Sequence, residues 1–158
     1  MSGKTTYTAD VIWERGQQPF VDSRYSRAHR WRFDNGLELH ATASPHIVAP
    51  ALTDASAIDP EQAFVASLSS CHMLWFLSIA AKQGFCVDAY QDTADGVLEN
   101  NADGRLAINV VTLRPAVSFS GEPQPSREQI EAMHAEAHHA CFIANSVKSE
   151  IRCLPVFS

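Results

Sequence analysis

The chain is poor in the features that mark several large protein classes. It carries no cysteine pair in CxxC spacing, so neither a zinc ribbon nor a thioredoxin-type dithiol is encoded locally. Its 4 cysteines, Cys71, Cys86, Cys141 and Cys153, are too few and too scattered for a disulfide scaffold in 158 residues. No basic block interrupts a formal net charge of −6, which argues against nucleic acid as the main partner. The first ten residues, "MSGKTTYTAD", lack the apolar centre of a signal peptide, and no run is read as a membrane span. These absences lead to the expectation of a cytoplasmic protein that binds neither membrane nor nucleic acid. In such a reducing compartment the thiols are free unless chemistry oxidises them.

The length suits one domain over residues 1–158 with a sizeable core. "TYTADVIWERG" alternates apolar and polar residues and reads as a strand. "HRWRFDNGLELHAT" reads as a hairpin turning at Asn35-Gly36. Residues 45–58 carry no clear period and read as an extended loop. Asp59 as cap, Pro60 at the first helical position and Gly84 at the stop predict a long helix. Residues 86–98 and 105–118 read as strands around the turn cluster "NNADG". A second helix opens at Ser126, which forms a capping box with Gln129, and "SVKSEIRCLPVF" is a last strand. Strands grouped around two helices, without βαβ alternation, predict an α+β fold with mostly antiparallel pairing.

The first helix poses the chemical question. Phe64, Leu68, Cys71, Trp75 and Ile79 recur at three- and four-residue steps, and Val65, His72 and Phe76 widen that stripe. This is the pattern of a central helix packed on more than one side. Burial alone raises a thiol's pKa and makes it inert, so a reactive Cys71 needs a cation nearby. No lysine or arginine lies between Pro60 and Ala81, whereas "SRYSRAHRWR" supplies Arg24, Arg27, Arg30 and Arg32. An inward-pointing arginine needs a carboxylate to hold it, and Glu61 is the candidate. Ten helical residues rise roughly 15 Å, so Glu61 and Cys71 of one straight helix cannot touch the same small ligand. Either an arginine bridges them, or Glu61 comes from a second copy, as in a homodimer with sites between subunits.

"DPEQAFVASLSSCHMLWFLSIAAKQGF" resembles the central-helix signature of the OsmC/Ohr family, the osmotically inducible and organic hydroperoxide resistance proteins. "AHHACFIANSVKSEI" is similar to the same family's run around its second cysteine, with Phe142 where proline is usual. The resemblance implies an OsmC-like fold, strands wrapped around central helices in an intertwined homodimer, with sites at the subunit interface. It implies a peroxidase that reduces organic hydroperoxides and needs no cofactor or metal. In it Cys71 is the peroxidatic cysteine, Cys141 the resolving cysteine, and Glu61 the acid that positions an arginine. Arg27 fits the arginine's place best, with Arg24 as alternate. A dithiol reductant, of lipoyl type by resemblance, would regenerate the enzyme by thiol–disulfide exchange. Cys86 and Cys153 match no motif position and read as packing residues.

Two other readings compete. His134, His138 and Cys141 stand at four- and three-residue steps, a spacing that would suit a zinc site. A catalytically silent dimer binding a small apolar ligand is the other, since a fold persists when its chemistry is lost.

Overall fold

The computed structural model describes residues 3–158, and the chain falls into two compact units, residues 1–63 and 64–158. In the first unit, β1 (Asp10–Ile12), β2 (His29–Arg32) and β3 (Glu38–Ala41) form an antiparallel sheet in that order. The β2–β3 hairpin closes where Asn35-Gly36 predicted, because Gly36 takes a φ of 85° that a side chain would oppose. The strand read over residues 6–16 shrinks to the three residues of β1. The 45–58 segment is mostly irregular, with a short 3-10 turn at Pro50–Leu52 and a bridge from Ile58 to Ala41.

Helix α1 (Pro60–Lys82) starts and stops where its terminal residues dictate. Asp59 Oδ1 accepts from the Gln62 N–H at 2.8 Å, and the Asp59 N–H donates to Gln62 Oε1 at 3.1 Å, a reciprocal cap. Gly84, at φ 82°, ends it. By length and composition this helix is able to cross a membrane, contrary to the reading that no run suffices. Its apolarity has another explanation in the second unit, where Leu68, His72, Phe76, Ile79 and Ala80 are buried. Phe76, Ile79 and Ala80 pack with Phe85 and with Met133 and Ala137 of helix α2 (Arg127–Ala140). Leu68 packs with Val111 and Leu113 in a second cluster. Phe64, Val65 and Leu68 from the first half of α1 serve one cluster and Trp75, Phe76, Ile79 and Ala80 from its second half the other, so the helix stays apolar along its whole length.

The two strands expected around "NNADG" are four: β4 (Cys86–Asp92), β5 (Asp95–Asn100), β6 (Leu106–Leu113) and β7 (Pro115–Ser120). β4 pairs with β7 and β5 with β6, both antiparallel, so one long hairpin ribbon is interrupted part-way along each arm. Asp92 holds the interruption. Its Oδ1 accepts from the Arg114 N–H at 2.6 Å, its Oδ2 accepts from the Ser69 hydroxyl of α1 at 2.5 Å, and the Arg114 guanidinium pairs with Asp95. A backbone N–H spent on a carboxylate is lost to the ladder, and Pro115 has none to give. Helix α2 begins with the predicted Ser126–Gln129 capping box. β8 (Glu150–Cys153) joins β6 in parallel, while the other paired strands among the described residues run antiparallel in an α+β arrangement.

Candidate functional site

The sequence-selected residues divide between the units. Arg24, Arg27 and Glu61 belong to the first, Cys71 and Cys141 to the second. In the first unit, the Arg27 guanidinium donates to the carbonyls of Ser23 (3.1 Å) and Tyr25 and lies 3.6 Å from the centroid of the Tyr25 ring. Arg24 is exposed, its backbone N–H donating to Asp22 Oδ1. Among the described residues, neither arginine forms an ion pair with Glu61. One carboxylate oxygen of Glu61, Oε2, is buried without a hydrogen-bond partner. A carboxylate oxygen withdrawn from water is costly until a cation or donor meets it.

The structure does bring the two sulfurs together. Cys71, mid-way along α1, is partly buried, and Cys141, at the C-terminal cap of α2, is 1% exposed. Their thiols are near enough to influence one another, although 70 residues separate them in sequence. Cys141 also accepts from the Ala144 N–H at 3.4 Å. Burial foremost raises the Cys141 thiol above the ordinary cysteine range; the Ala144 bond opposes this and the nearness of Cys71 adds to it. Phe142, in the place of the usual proline, is exposed and meets Trp75 edge-on at 5.4 Å. Trp75 lies one turn beyond Cys71, so an aromatic pair flanks the sulfurs.

A second constellation lies in the same unit, and sequence reading missed it. His72 of α1, His134 of α2 and Cys153 at the end of β8 place their ligating atoms within 4.8 Å of one another. His72 Nε2 and His134 Nδ1 are 3.0 Å apart, and Cys153 Sγ is 3.8 Å from His72 Nε2. Burial pushes His72 down to about 4 and His134 to about 3, so both rings are neutral at neutral pH. Burial likewise pushes the Cys153 thiol up to about 12, with Asp92 adding to the rise. Two buried orphans stand out in this region: His134 Nε2 and the Tyr90 hydroxyl. The zinc reading grouped His134 with His138 and Cys141. The described residues gather it with His72 and Cys153 instead, because α2 turns His134 into the core while Cys141 lies at the helix end, near Cys71. Cys153 packs against the Leu68, Val111 and Leu113 cluster, as read from sequence, and also borders His72, whereas Cys86 is exposed rather than packed.

Comparisons with known proteins agree with this architecture. Residues 53–153 match the family described as OsmC-like protein. An OsmC-like protein of unknown function from Vibrio cholerae is 49% identical, with a TM-score of 0.95 over 97% of this chain and 100% of its own. An organic hydroperoxide resistance protein from Elizabethkingia anophelis is 18% identical, with a TM-score of 0.70 over 100% of both chains. The organic hydroperoxide resistance protein OhrB of Bacillus subtilis is 21% identical, with a TM-score of 0.67 over 95% of this chain and 98% of its own. No curated protein matches. With an α+β fold shared across its length and the family pattern spanning both cysteines, the chain belongs to the OsmC-like protein family.

Proposed function

We propose that this protein is a thiol-dependent peroxidase that reduces organic hydroperoxides, with Cys71 as the peroxidatic and Cys141 as the resolving cysteine. The single observation that carries the reading is the nearness of these two thiols, one on α1 and the other at the C-terminal cap of α2. The hydroperoxide resistance proteins of Elizabethkingia anophelis and Bacillus subtilis share the fold and lend the substrate class.

The Cys71 thiolate attacks the terminal peroxide oxygen, the O–O bond breaks, and the alkoxide takes a proton to leave as alcohol. Cys71 becomes a sulfenic acid. The Cys141 sulfur then attacks the Cys71 sulfur, expelling water and closing the Cys71–Cys141 disulfide. The hydroperoxide has accepted the two electrons the thiols gave up. An external dithiol, of lipoyl type in this reading, attacks the disulfide and restores both thiols. Arg27, or Arg24 in its stead, held by Glu61, supplies the positive charge that favours the thiolate and the departing alkoxide. The unpartnered Glu61 Oε2 supports an arginine arriving there, and an intertwined homodimer is the assembly in which we place it. Trp75 and Phe142 offer an apolar flank for an alkyl tail. The reducing cytoplasm, where both cysteines rest as thiols, is the compartment we assign.

One equivalent of cumene hydroperoxide should consume two thiols per chain, and peptide mapping should join Cys71 to Cys141. Cys71→Ser should abolish turnover with a lipoyl dithiol. Unmodified Cys71 and Cys141 after treatment would instead support a silent dimer that binds an apolar ligand.

A further inference from the structure

His72, His134 and Cys153 take no part in the peroxide chemistry above, and their arrangement is hard to account for as ordinary packing. All three come from different elements, α1, α2 and β8, and converge with their donor atoms within 4.8 Å. His72 and His134 are each 2% exposed. As a simple hydrogen-bonded pair they are poorly satisfied. One ring donates to the other across 3.0 Å, and His134 Nε2 is left buried with no partner whichever ring donates. If Nδ1 of His134 carries the proton, Nε2 is a buried acceptor with nothing to accept. If it does not, Nε2–H is a buried donor with nothing to receive it. Either state forfeits about 1–3 kcal/mol of solvation, and an ion at Nδ1 would not restore it, so it is the convergence of the three donors that points to a ligand.

The spacing is that of ligands around a small ion. With Zn–N bonds of about 2.0–2.1 Å and Zn–S of about 2.3 Å at tetrahedral angles, two nitrogens stand roughly 3.3 Å apart and a nitrogen and sulfur roughly 3.6 Å. The observed 3.0 Å and 3.8 Å differ from these by a few tenths of an ångström, and the third pair, His134 Nδ1 and Cys153 Sγ, lies within 4.8 Å. Phe76 stacks on His134 with centroids 4.2 Å apart and planes inclined by 24°. The two imidazoles meet end to end, 5.3 Å between centroids and 11° between planes, so both rings must tilt for their lone pairs to converge on an ion. Two imidazoles and one thiolate suit a borderline-soft ion better than magnesium or calcium, which take oxygen ligands. Asp92, whose charge is felt at both His72 and Cys153, offsets the positive charge that such an ion brings.

We propose that His72 Nε2, His134 Nδ1 and Cys153 Sγ form a zinc(II) site separate from the Cys71–Cys141 pair. On binding, the His–His hydrogen bond is replaced by two Zn–N bonds, and the Cys153 thiol gives its proton to solvent as the Zn–S bond forms. Three protein ligands leave a fourth position for water or a small anion. A cleft of about 500 Å³ lined by Arg127, Glu131, His134, His138 and Cys153 gives the ion a path inward. Sitting beside Cys71 in sequence, His72 thereby gives the same helix a second, non-redox, sulfur-containing site.

The test uses the full-length, tag-free protein with cobalt(II) as the spectroscopic probe and zinc(II) as competitor. The expected result is one equivalent of cobalt with a thiolate-to-metal charge-transfer band, displaced by zinc. Affinity should fall more than about a hundredfold in Cys153→Ser and His72→Asn, since even outer partners of metal ligands cost 10–100-fold. The band should persist in the double variant Cys71→Ser/Cys141→Ser. Because His72→Asn risks misfolding, zinc protection of Cys153 from alkylation is measured on the unaltered protein, with the exposed Cys86 as the unprotected reference. No band, a band that survives Cys153→Ser, or equal alkylation of Cys153 with and without zinc overturns the proposal. A band lost only when Cys71 and Cys141 are replaced assigns the metal to the redox pair and overturns it as well. None of these outcomes bears on peroxide reduction, which is scored separately by thiol loss.

Discussion

At Gly96 the β5–β6 ribbon lies close against α1, and adding one methyl there gives a quantitative check of the packing. A Cβ at this position would stand 2.9 Å from the γ2 methyls of both Val65 and Ile108, and 3.5 Å from that of Val111. Two of these contacts are shorter than carbon atoms tolerate, so both methyls must move or the helix must lift off the strand. Overpacking of this size costs about 1–3 kcal/mol. Gly96 has no left-handed φ, so alanine also removes unfolded-state freedom and returns about 0.4–1 kcal/mol. The steric term wins, and Gly96→Ala should destabilise by about 1–2 kcal/mol, lowering the melting temperature by about 2–4 °C per kcal/mol in a chain of this size. Urea unfolding should show the lower midpoint with an unchanged slope. The double variant Gly96→Ala/Val65→Ala should cost less than the two single changes added, by about 0.5 kcal/mol or more, because the second vacates the space the first fills. A stabilised Gly96→Ala, or strictly additive singles, would refute the close approach.

The remaining expectations are simpler. Phe76→Ala removes a fully buried ring from between His134, Tyr90 and Phe119, and calorimetry should find a loss of about 3–5 kcal/mol. Ser126→Ala deletes the side-chain half of the α2 capping box at a cost of about 1 kcal/mol by urea unfolding, and Ser126→Asp should restore most of it. Cys141 should alkylate slowly at neutral pH and accelerate only at a pH above that needed for a free cysteine, since its raised pKa keeps it a thiol; mass spectrometry with Cys86 as reference reads this out. Cys141→Ser should still lose one thiol to cumene hydroperoxide, yet accumulate a dimedone-reactive sulfenic acid on Cys71 in place of a disulfide.

What the sequence made legible is what local chemistry decides. Asp59, Pro60 and Gly84 bound α1, Ser126 and Gln129 open α2, and Asn35-Gly36 turns the first hairpin, each through a bond or dihedral made within a few residues. Cys71 and Cys141 were legible for another reason: each sits in its own recognisable motif, and the structure sets their thiols near one another. The interruption of the long ribbon was not legible, because it depends on Asp92 reaching Arg114 across 22 residues. Nor was the parallel docking of β8, which no turn signal announces. The His72–His134–Cys153 group escaped notice because its members lie 62 and 81 residues apart and share no periodicity. His72 in particular widens an apolar stripe, a pattern that is correct for its burial and silent about its nitrogen.

Cys71 and His72 are consecutive, and an α-helix turns about 100° per residue. Their side chains therefore leave the same shaft in different directions, one toward Cys141 and the other toward His134. A single residue inserted between Ser67 and Cys71 would rotate everything downstream by that angle, turning Cys71 away from Cys141 and His72 away from His134 at once. A residue inserted in the exposed turn at Asn101–Gly104 would disturb neither. Length polymorphism along this lineage should accordingly accumulate in that turn and be shut out of the helix.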